Sequence, residues 1–119
     1  MFSGFSHVMM FVTDFDRAVG WYTTKLGCRV NFSHPPHYAS LQEPQTNTRI
    51  DLHPTESDSR DVGHGPMPYF KVQSVAEALA SLAAKGIKVG KVQQEGPTKF
   101  ATFWDSEGNA LGVQEYTAE

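Results

Sequence analysis

His7 and Asp51 are the residues of this chain whose types best suit acid–base chemistry or metal binding. A carboxylate that faces an imidazole orients the ring and raises its pKa, so the two side chains could act as a proton-transferring pair. Histidine and aspartate are also common ligands of divalent metal ions. We therefore take His7 and Asp51 as the candidate catalytic residues. A simple hydrogen-bonded pair across two strands and a retained metal site are the alternatives for the same two groups.

Alternation along the predicted strands indicates which side chains lie beside this pair. Arg49, Asp51 and His53 alternate with aliphatic residues, so the three polar side chains share one face of a strand. A second polar face is predicted in the later half of the chain. A polar face of this kind is either exposed to solvent or lines a pocket. If it lines a pocket, aromatic side chains on it favour the binding of a flat ligand. The residues expected to bind a ligand are Arg49, His53, Tyr69, Lys71, Trp104 and Gln114.

One sequence pattern occurs twice in the chain, about 60 residues apart. Residues 11–30 align with residues 71–89 once one residue is deleted, which places Gly27 on Gly86 and Val30 on Val89. Each copy begins with the pattern of a strand, a helix and a second strand. The repeat predicts two small modules of one plan within a single domain, with equivalent positions in the two modules.

The apolar periodicity predicts the order βαβββ in each module and hence an α+β fold class. Module one covers about residues 5–54 and module two about residues 68–117, and the polar stretch at about 55–67 is the linker between them. Strands are expected at about 6–13, 28–33, 38–43 and 48–53, and again at about 68–73, 87–94, 98–104 and 110–116.

This arrangement resembles the vicinal-oxygen-chelate superfamily, which includes glyoxalase I, bleomycin-resistance proteins, extradiol dioxygenases and fosfomycin-resistance enzymes. The resemblance covers essentially the whole chain. It implies two βαβββ modules whose mixed sheet curves around a cavity, with the helices on the outer face. The matching segments are residues 7–14 (HVMMFVTD), 18–27 (AVGWYTTKLG), 50–53 (IDLH) and 103–109 (FWDSEGN).

The resemblance also implies where a metal would be held. Metal-using members place two ligands in each module, and in this chain those positions fall on His7, Asp51, Met67 and Gly112. Methionine is a weak, soft donor and glycine has no side chain to offer, whereas a divalent ion normally has three or more protein ligands. We therefore expect no metal and no other cofactor. The alternative is a divalent metal held by His7, Asp51 and an unidentified further group.

Composition excludes several classes of function. Hydrophobic residues make up 39% and charged residues 19% of the 119 residues, as in ordinary globular domains. A net charge of −3 without a basic cluster argues against a nucleic-acid partner, and no apolar stretch approaches the ~20 residues of a membrane helix. The single cysteine, Cys28, fits a reducing compartment, and no signal peptide is seen. We therefore expect a cytoplasmic protein.

Two functions are compatible with these observations. The first is metal-independent binding of a small molecule in a cavity between the modules, as implied by the likeness to bleomycin-resistance proteins. The second is a metal-dependent lyase, isomerase or dioxygenase that uses His7 and Asp51. A regulatory or structural dimer without a ligand is a third, weaker interpretation. The resemblance further implies a homodimer in which modules of both chains build each site, and the sequence does not identify the ligand.

Overall fold

The computed structural model describes residues 1–55 and 62–116, and the chain divides into two compact units, Met1–Gly65 and Pro66–Glu119. The predicted linker at about 55–67 includes residues 56–61, which lie outside the described residues. Both units have the order βαβββ, which confirms the predicted α+β class. The first unit contains β1 (Val8–Val12), α1 (Phe15–Lys25), β2 (Arg29–His34), β3 (Tyr38–Gln42) and β4 (Arg49–Pro54). The second contains β5 (Tyr69–Lys71), α2 (Val75–Ala84), β6 (Gln93–Glu95), β7 (Thr98–Trp104) and β8 (Ala110–Tyr116).

The first sheet has the strand order β1-β4-β3-β2. β1 and β4 are parallel, whereas β4 and β3, and β3 and β2, are antiparallel. β4 is therefore a central strand. Alternation along β4 directs Ile50 and Leu52 to the face covered by α1 and leaves Asp51 on the opposite face, as predicted. The buried apolar side chains of this unit include Met10, Val12, Phe15, Ala18, Tyr22, Leu41, Ile50 and Leu52.

Helix α1 is bounded by two residues whose types favour helix ends. Asp14 is the N-cap, and its Oδ1 accepts a hydrogen bond of 3.2 Å from the backbone N–H of Arg17. Gly27 follows the C-cap residue and has φ of +74°, a conformation that glycine adopts without the steric penalty of a Cβ. These caps fix the helix so that Phe15, Ala18 and Tyr22 face the sheet.

A β-bulge in β2 changes which side chains lie on the polar face. Val30 lies opposite Leu41, but Phe32 lies opposite Ser40, so Asn31 is an additional residue in the strand. Even alternation predicts that Val30 and Phe32 share a face. The bulge overturns that prediction and places Phe32 beside Ser40 on the face of Asp51.

The second sheet repeats the topology with the order β5-β8-β7-β6, with β5 parallel to β8 and the other pairs antiparallel. Helix α2 begins after Ser74, whose Oγ accepts from the N–H of Glu77 at 3.1 Å. The Oε1 of Glu115 in β8 accepts from the N–H of Val75 at 2.6 Å, so the sheet itself helps to cap the helix. No helix in the described residues is long and apolar enough to cross a membrane. The buried side chains of this unit include Val75, Leu79, Ile87, Ala101, Phe103, Leu111 and Val113.

The strand predicted at about 87–94 is wrong over most of its length, because β6 spans only Gln93–Glu95. Two backbone hydrogen bonds still tie the preceding segment to β7: Gly90 N–H donates to Thr102 O at 2.7 Å, and Trp104 N–H donates to Lys88 O at 3.1 Å. A Cβ on Gly90 would stand 3.3 Å from Thr102 O. The chain approaches β7 closely at this glycine, and regular pairing resumes only at Gln93.

Candidate functional site

The polar face of the first sheet is centred on the carboxylate of Asp51, which is completely buried. Asp51 lies on β4 between Met9 of β1 and Ser40 of β3, its register partners on either side. Arg49 and His53 are two residues away along the same strand and therefore share its face. The structure thus brings together three of the predicted site residues on one strand, as alternation indicated.

Arg49, Tyr38 and Ser40 donate hydrogen bonds to the Asp51 carboxylate. The Nη2 of Arg49 donates to Oδ2 at 2.6 Å, its Nε donates to Oδ1 at 3.4 Å, and the Tyr38 hydroxyl also donates to Oδ2. Burial alone would raise the pKa of Asp51. The hydrogen bonds from Arg49, Tyr38 and Ser40 outweigh burial, so the pKa of this carboxyl lies below its ordinary value. Asp51 is therefore an ionised group whose charge is already compensated within the sheet.

His7 lies next to this cluster but just outside β1. Its Nε2 is 3.8 Å from Oδ2 of Asp51, a distance at which a protonated imidazole would form an ion pair but longer than a hydrogen bond. Its Nδ1 is 2.8 Å from the hydroxyl oxygen of Ser6. The imidazole is thus adjacent to Asp51, while the lone pairs of Oδ2 are engaged by Arg49 and Tyr38.

Aromatic side chains surround the charged cluster on the same face. The ring of Phe32 stacks on Tyr38 with centroids 6.0 Å apart and an interplanar angle of 9°. His53 meets Tyr38 edge to face at 6.2 Å and contacts Phe11 at 5.9 Å. The bulge at Asn31 positions Phe32 for this stack, and Asn31 Nδ2 donates to Ser40 Oγ at 3.3 Å. The face therefore combines one compensated charge pair with a run of aromatic rings.

The polar face of the second sheet carries Tyr69, Lys71 and Gln114. Tyr69 pairs with Gly112 and Lys71 with Gln114 in the parallel β5–β8 ladder. The ring of Tyr69 lies across Gly112, where an added Cβ would come within 2.4 Å of Cε2 of the ring. A residue with a side chain at position 112 would therefore displace this ring.

Trp104 lies at the end of β7, opposite Ala110. The Nζ of Lys88 is 4.9 Å from the centroid of its ring, within cation–π range, and the ring also approaches Gly90. Trp104 is therefore covered by side chain and backbone of its own unit, whereas Tyr69 is 46% exposed.

Of the four positions that the resemblance implies for metal ligands, Asp51 and Gly112 lie on strands of the two sheets. Asp51 and Gly112 occupy equivalent places, each on the last strand of its unit opposite a residue of the first strand. Asp51 already accepts from a guanidinium, and Gly112 offers no donor. In residues 1–55 and 62–116 no group of three or more His, Cys, Asp or Glu side chains is close enough to hold a metal ion. The residues present do not fit a divalent cation of the kind the resemblance implies.

Sequence reasoning missed Tyr38 and Ser40 as partners of Asp51. The signal was available in the turn that joins β3 to β4. Folding the two strands symmetrically about residues 44–47 places Ser40 opposite Asp51, which is the observed register. Alternation then puts Tyr38 on the same face as Ser40, within reach of the carboxylate.

The comparisons with known proteins agree with this architecture. The family model described as Glyoxalase/Bleomycin resistance protein/Dioxygenase superfamily matches residues 4–113. No curated protein matches the chain.

Among solved structures, a glyoxylase/bleomycin resistance protein/dioxygenase domain from Frankia sp. EAN1pec superposes with a TM-score of 0.76 at 22% identity, covering 98% of this chain and 99% of that chain. The fosfomycin resistance protein FosX of Listeria monocytogenes, solved with Mn(II) and a sulfate ion, has a TM-score of 0.77 at 20% identity, with 100% and 94% coverage. Lactoylglutathione lyase of Agrobacterium tumefaciens has a TM-score of 0.72 at 16% identity, with 95% and 93% coverage. At these identities the structural likeness establishes the fold. Together with the family match over nearly its full length, it means that this chain belongs to the glyoxalase/bleomycin resistance protein/dioxygenase superfamily.

Proposed function

We propose that this protein binds a small organic molecule on the polar face of its first sheet and does so without the metal that some of its relatives use. The observation that carries the proposal is the ion pair between Arg49 and the buried Asp51. A guanidinium takes the place of a cation at the carboxylate that the superfamily pattern assigns to metal binding. The aromatic rings around this pair supply the apolar contacts that small-molecule sites require.

A divalent ion would have to compete with Arg49 for Asp51. The guanidinium is 2.6 Å from Oδ2, its charge is permanent, and the carboxylate is fully buried. Separating this pair would leave a positive charge facing the incoming cation. At the equivalent position of the second unit, Gly112 contributes no ligand and the Tyr69 ring occupies the space of a side chain. Both features favour a site that works without a metal.

The second candidate is a metal-dependent lyase, isomerase or dioxygenase that uses His7 and Asp51 with a further group. One observation favours it, namely that the imidazole of His7 lies 3.8 Å from Asp51, close enough for both to face one ion after a rearrangement of Arg49. Relatives of similar fold include a fosfomycin resistance protein with Mn(II) and a lactoylglutathione lyase.

Metal retention separates the two candidates. The purified protein is incubated with Zn²⁺, Ni²⁺, Fe²⁺ or Mn²⁺, desalted, and analysed by inductively coupled plasma mass spectrometry, with His7→Ala and the exposed-turn variant His37→Ala as a matched pair. We expect retention near zero in all three proteins. Near-stoichiometric retention that is lost in His7→Ala and kept in His37→Ala would replace the first candidate with the second.

Ligand binding itself is tested with a mixed fragment library of neutral, anionic and cationic compounds, read by backbone amide NMR shifts. Binding of any class that shifts the amides of β3 and β4 supports the proposed function. A library in which no compound shifts these strands would overturn it. If a turnover assay is found for a bound compound, unchanged turnover in His7→Ala would exclude the imidazole from the chemistry.

The proposal also includes a cytoplasmic homodimer, which the likeness to short two-module members supports. The unpaired and buried Cys28 is compatible with a reducing compartment. Val30, an apolar side chain of the first unit that is exposed in the single chain, would be available to a second copy. A monomer by light scattering would remove this part of the proposal.

A further inference from the structure

We infer that Arg49 is an anion-recognising residue and that the ligand of this face is a small aromatic acid whose carboxylate binds the outer edge of the Arg49 guanidinium. This inference rests on the proposed function, because it names the ligand class of the same face. It follows from which N–H groups of the Arg49 guanidinium bind Asp51 and which do not.

The hydrogen bonds to Asp51 use only one edge of the guanidinium. Nε donates to Oδ1 at 3.4 Å and Nη2 donates to Oδ2 at 2.6 Å, which is the side-on arrangement of an arginine with a carboxylate. A guanidinium has five N–H donors in a rigid plane, and neither bond uses Nη1. Asp51 does not use the end-on edge formed by Nη1 and the second N–H of Nη2, and the other group that interacts with the guanidinium is the Tyr38 hydroxyl. This edge is the place for a second planar acceptor. One third of the Arg49 side-chain surface is exposed, whereas Asp51 is fully buried, so the side chain is open to solvent on a side away from Asp51.

Asp51 holds the guanidinium in place before a ligand arrives. The carboxylate is fully buried on the central strand β4 and is also held by Tyr38 and Ser40. Because its partner is fixed, Arg49 loses little side-chain freedom on binding, and this preorganisation favours affinity. A lysine at this position would carry the charge but not the planar pair of donors.

The charges around Arg49 do not oppose a carboxylate. The Asp51 charge lies on the far edge of the guanidinium, and the other ionisable groups on this face include Arg29, the Tyr38 phenol and the imidazoles of His7, His34 and His53. Arg29 is positive, and the raised pKa of Tyr38 keeps its phenol neutral. Each imidazole is either neutral or positive. An incoming carboxylate therefore meets the guanidinium first and no uncompensated negative group.

The ring of the acid is assigned from the aromatic neighbours. Tyr38 donates to the same Oδ2 that accepts from Arg49, so the phenol lies beside the guanidinium. Phe32 stacks on Tyr38 and is 44% exposed, and Met9 beside Asp51 is 36% exposed. Exposed apolar and aromatic side chains beside the Arg49 guanidinium favour a ligand with a flat ring that carries a carboxylate group.

A matched pair of probes tests this inference on the wild-type protein. Naphthalene carboxylate and its neutral carboxamide share a ring and a shape but differ in charge. We expect the carboxylate to bind at least about tenfold more tightly by NMR titration, with shifts in β3, β4 and the guanidinium resonances of Arg49. We expect the carboxamide to leave those guanidinium resonances in place.

The variant Arg49→Lys should reduce the preference for the carboxylate over the carboxamide severalfold, because it keeps the charge and loses the planar fork. Arg17→Lys makes the same substitution at an exposed position of α1 and should leave the preference unchanged. If Arg49→Lys fails to fold, the guanidinium resonances of the wild-type protein still decide the question.

Equal affinity for the two probes, with shifts on β3 and β4, would overturn the inference and leave the proposed function standing. Absence of binding by both probes would also overturn it, and the proposed function would then depend on the mixed fragment library. Failure of that library as well would remove both.

Discussion

The ring of Tyr69 lies directly across Gly112, its register partner in the parallel β5–β8 ladder. A Cβ on Gly112 would be 2.4 Å from Cε2 and 2.5 Å from Cδ2 of the ring, closer than carbon atoms can approach. At the equivalent place in the first unit, Asp51 stands opposite Met9 and its side chain has room. The loss of a side chain at position 112 is therefore matched by a large aromatic residue on the neighbouring strand.

This contact predicts that Gly112→Ala destabilises the protein by about 1–2 kcal/mol, because the added methyl group must push the Tyr69 ring out of its packing. In a Tyr69→Ala background the same substitution should be neutral or slightly stabilising, since alanine is better than glycine inside a strand. Urea unfolding of the wild type, the two single variants and the double variant gives the coupling free energy between positions 69 and 112. Simple additivity of the two substitutions would contradict the contact.

Cys28 should be nearly unreactive in the folded protein. Burial raises the pKa of its thiol to about 11, and the nearby carboxylate of Glu43 adds to the increase. Since the thiolate is the reactive form, we expect a disulfide reagent at about pH 8 to modify the folded protein roughly a hundred times more slowly than the unfolded protein. The reaction in guanidinium chloride is the control. Similar rates in the two states would mean that the thiol is accessible and readily ionised.

Much of the first unit follows from the sequence because its signals are local. Alternating polar and aliphatic residues along β4 are sufficient to place Arg49 and Asp51 on one face, and the Asp14 cap and Gly27 are sufficient to bound α1. The burial of Ile50 on the other face confirms the alternation. Each of these predictions depends on residues that are close together in the chain.

The features that were not predicted depend on contacts between strands. The bulge at Asn31 is decided by pairing with β3, so even alternation misplaced Phe32. The irregular segment before β6 depends on how it pairs with β7, since Val89 lies opposite Phe103 but Gln93 lies opposite Phe100. The hydrogen bond from Tyr38 to Asp51 depends on which residues of β3 and β4 lie opposite each other. A predicted turn at residues 44–47 gives these pairs only when the two strands are aligned about its centre. Local composition does not carry this information.

The Asp51 cluster predicts a specific dependence of stability on pH. The pKa of Asp51 is lower in the folded protein than its ordinary value of about 3.9, so the unfolded chain binds the proton more tightly. The carboxylate therefore contributes stability above about pH 4, and that contribution is lost as the pH falls through the lowered pKa. We expect the melting temperature to decrease over this acid range.

The variant Asp51→Asn should remove this part of the acid dependence and lower the stability at neutral pH, since it leaves the Arg49 guanidinium without its counter-charge. Asp16→Asn, an exposed change of the same type in the first turn of α1, is the control and should keep the acid dependence. Thermal melts of the three proteins between neutral and acid pH are the measurement. An equally steep acid loss in Asp51→Asn would show that other carboxylates cause it.

The phenol of Tyr38 should ionise at a higher pH than an ordinary tyrosine. Its hydrogen bond to the Asp51 carboxylate raises the pKa of the phenol, burial and the negative charge of Asp51 act in the same direction, and Arg49 only partly opposes them. In an alkaline titration followed by phenolate absorbance, Tyr38→Phe should remove one component that titrates above the ordinary pKa of tyrosine. It should also reduce stability by about 1.5 kcal/mol, the lower end of the range for a hydrogen bond to a charged group, because the phenol is only half-buried. Tyr69→Phe, a change of the same type on the second sheet, is the control for the loss of one phenol. If Tyr38→Phe instead removes a component at the ordinary pKa of tyrosine, the carboxylate of Asp51 does not hold the Tyr38 proton.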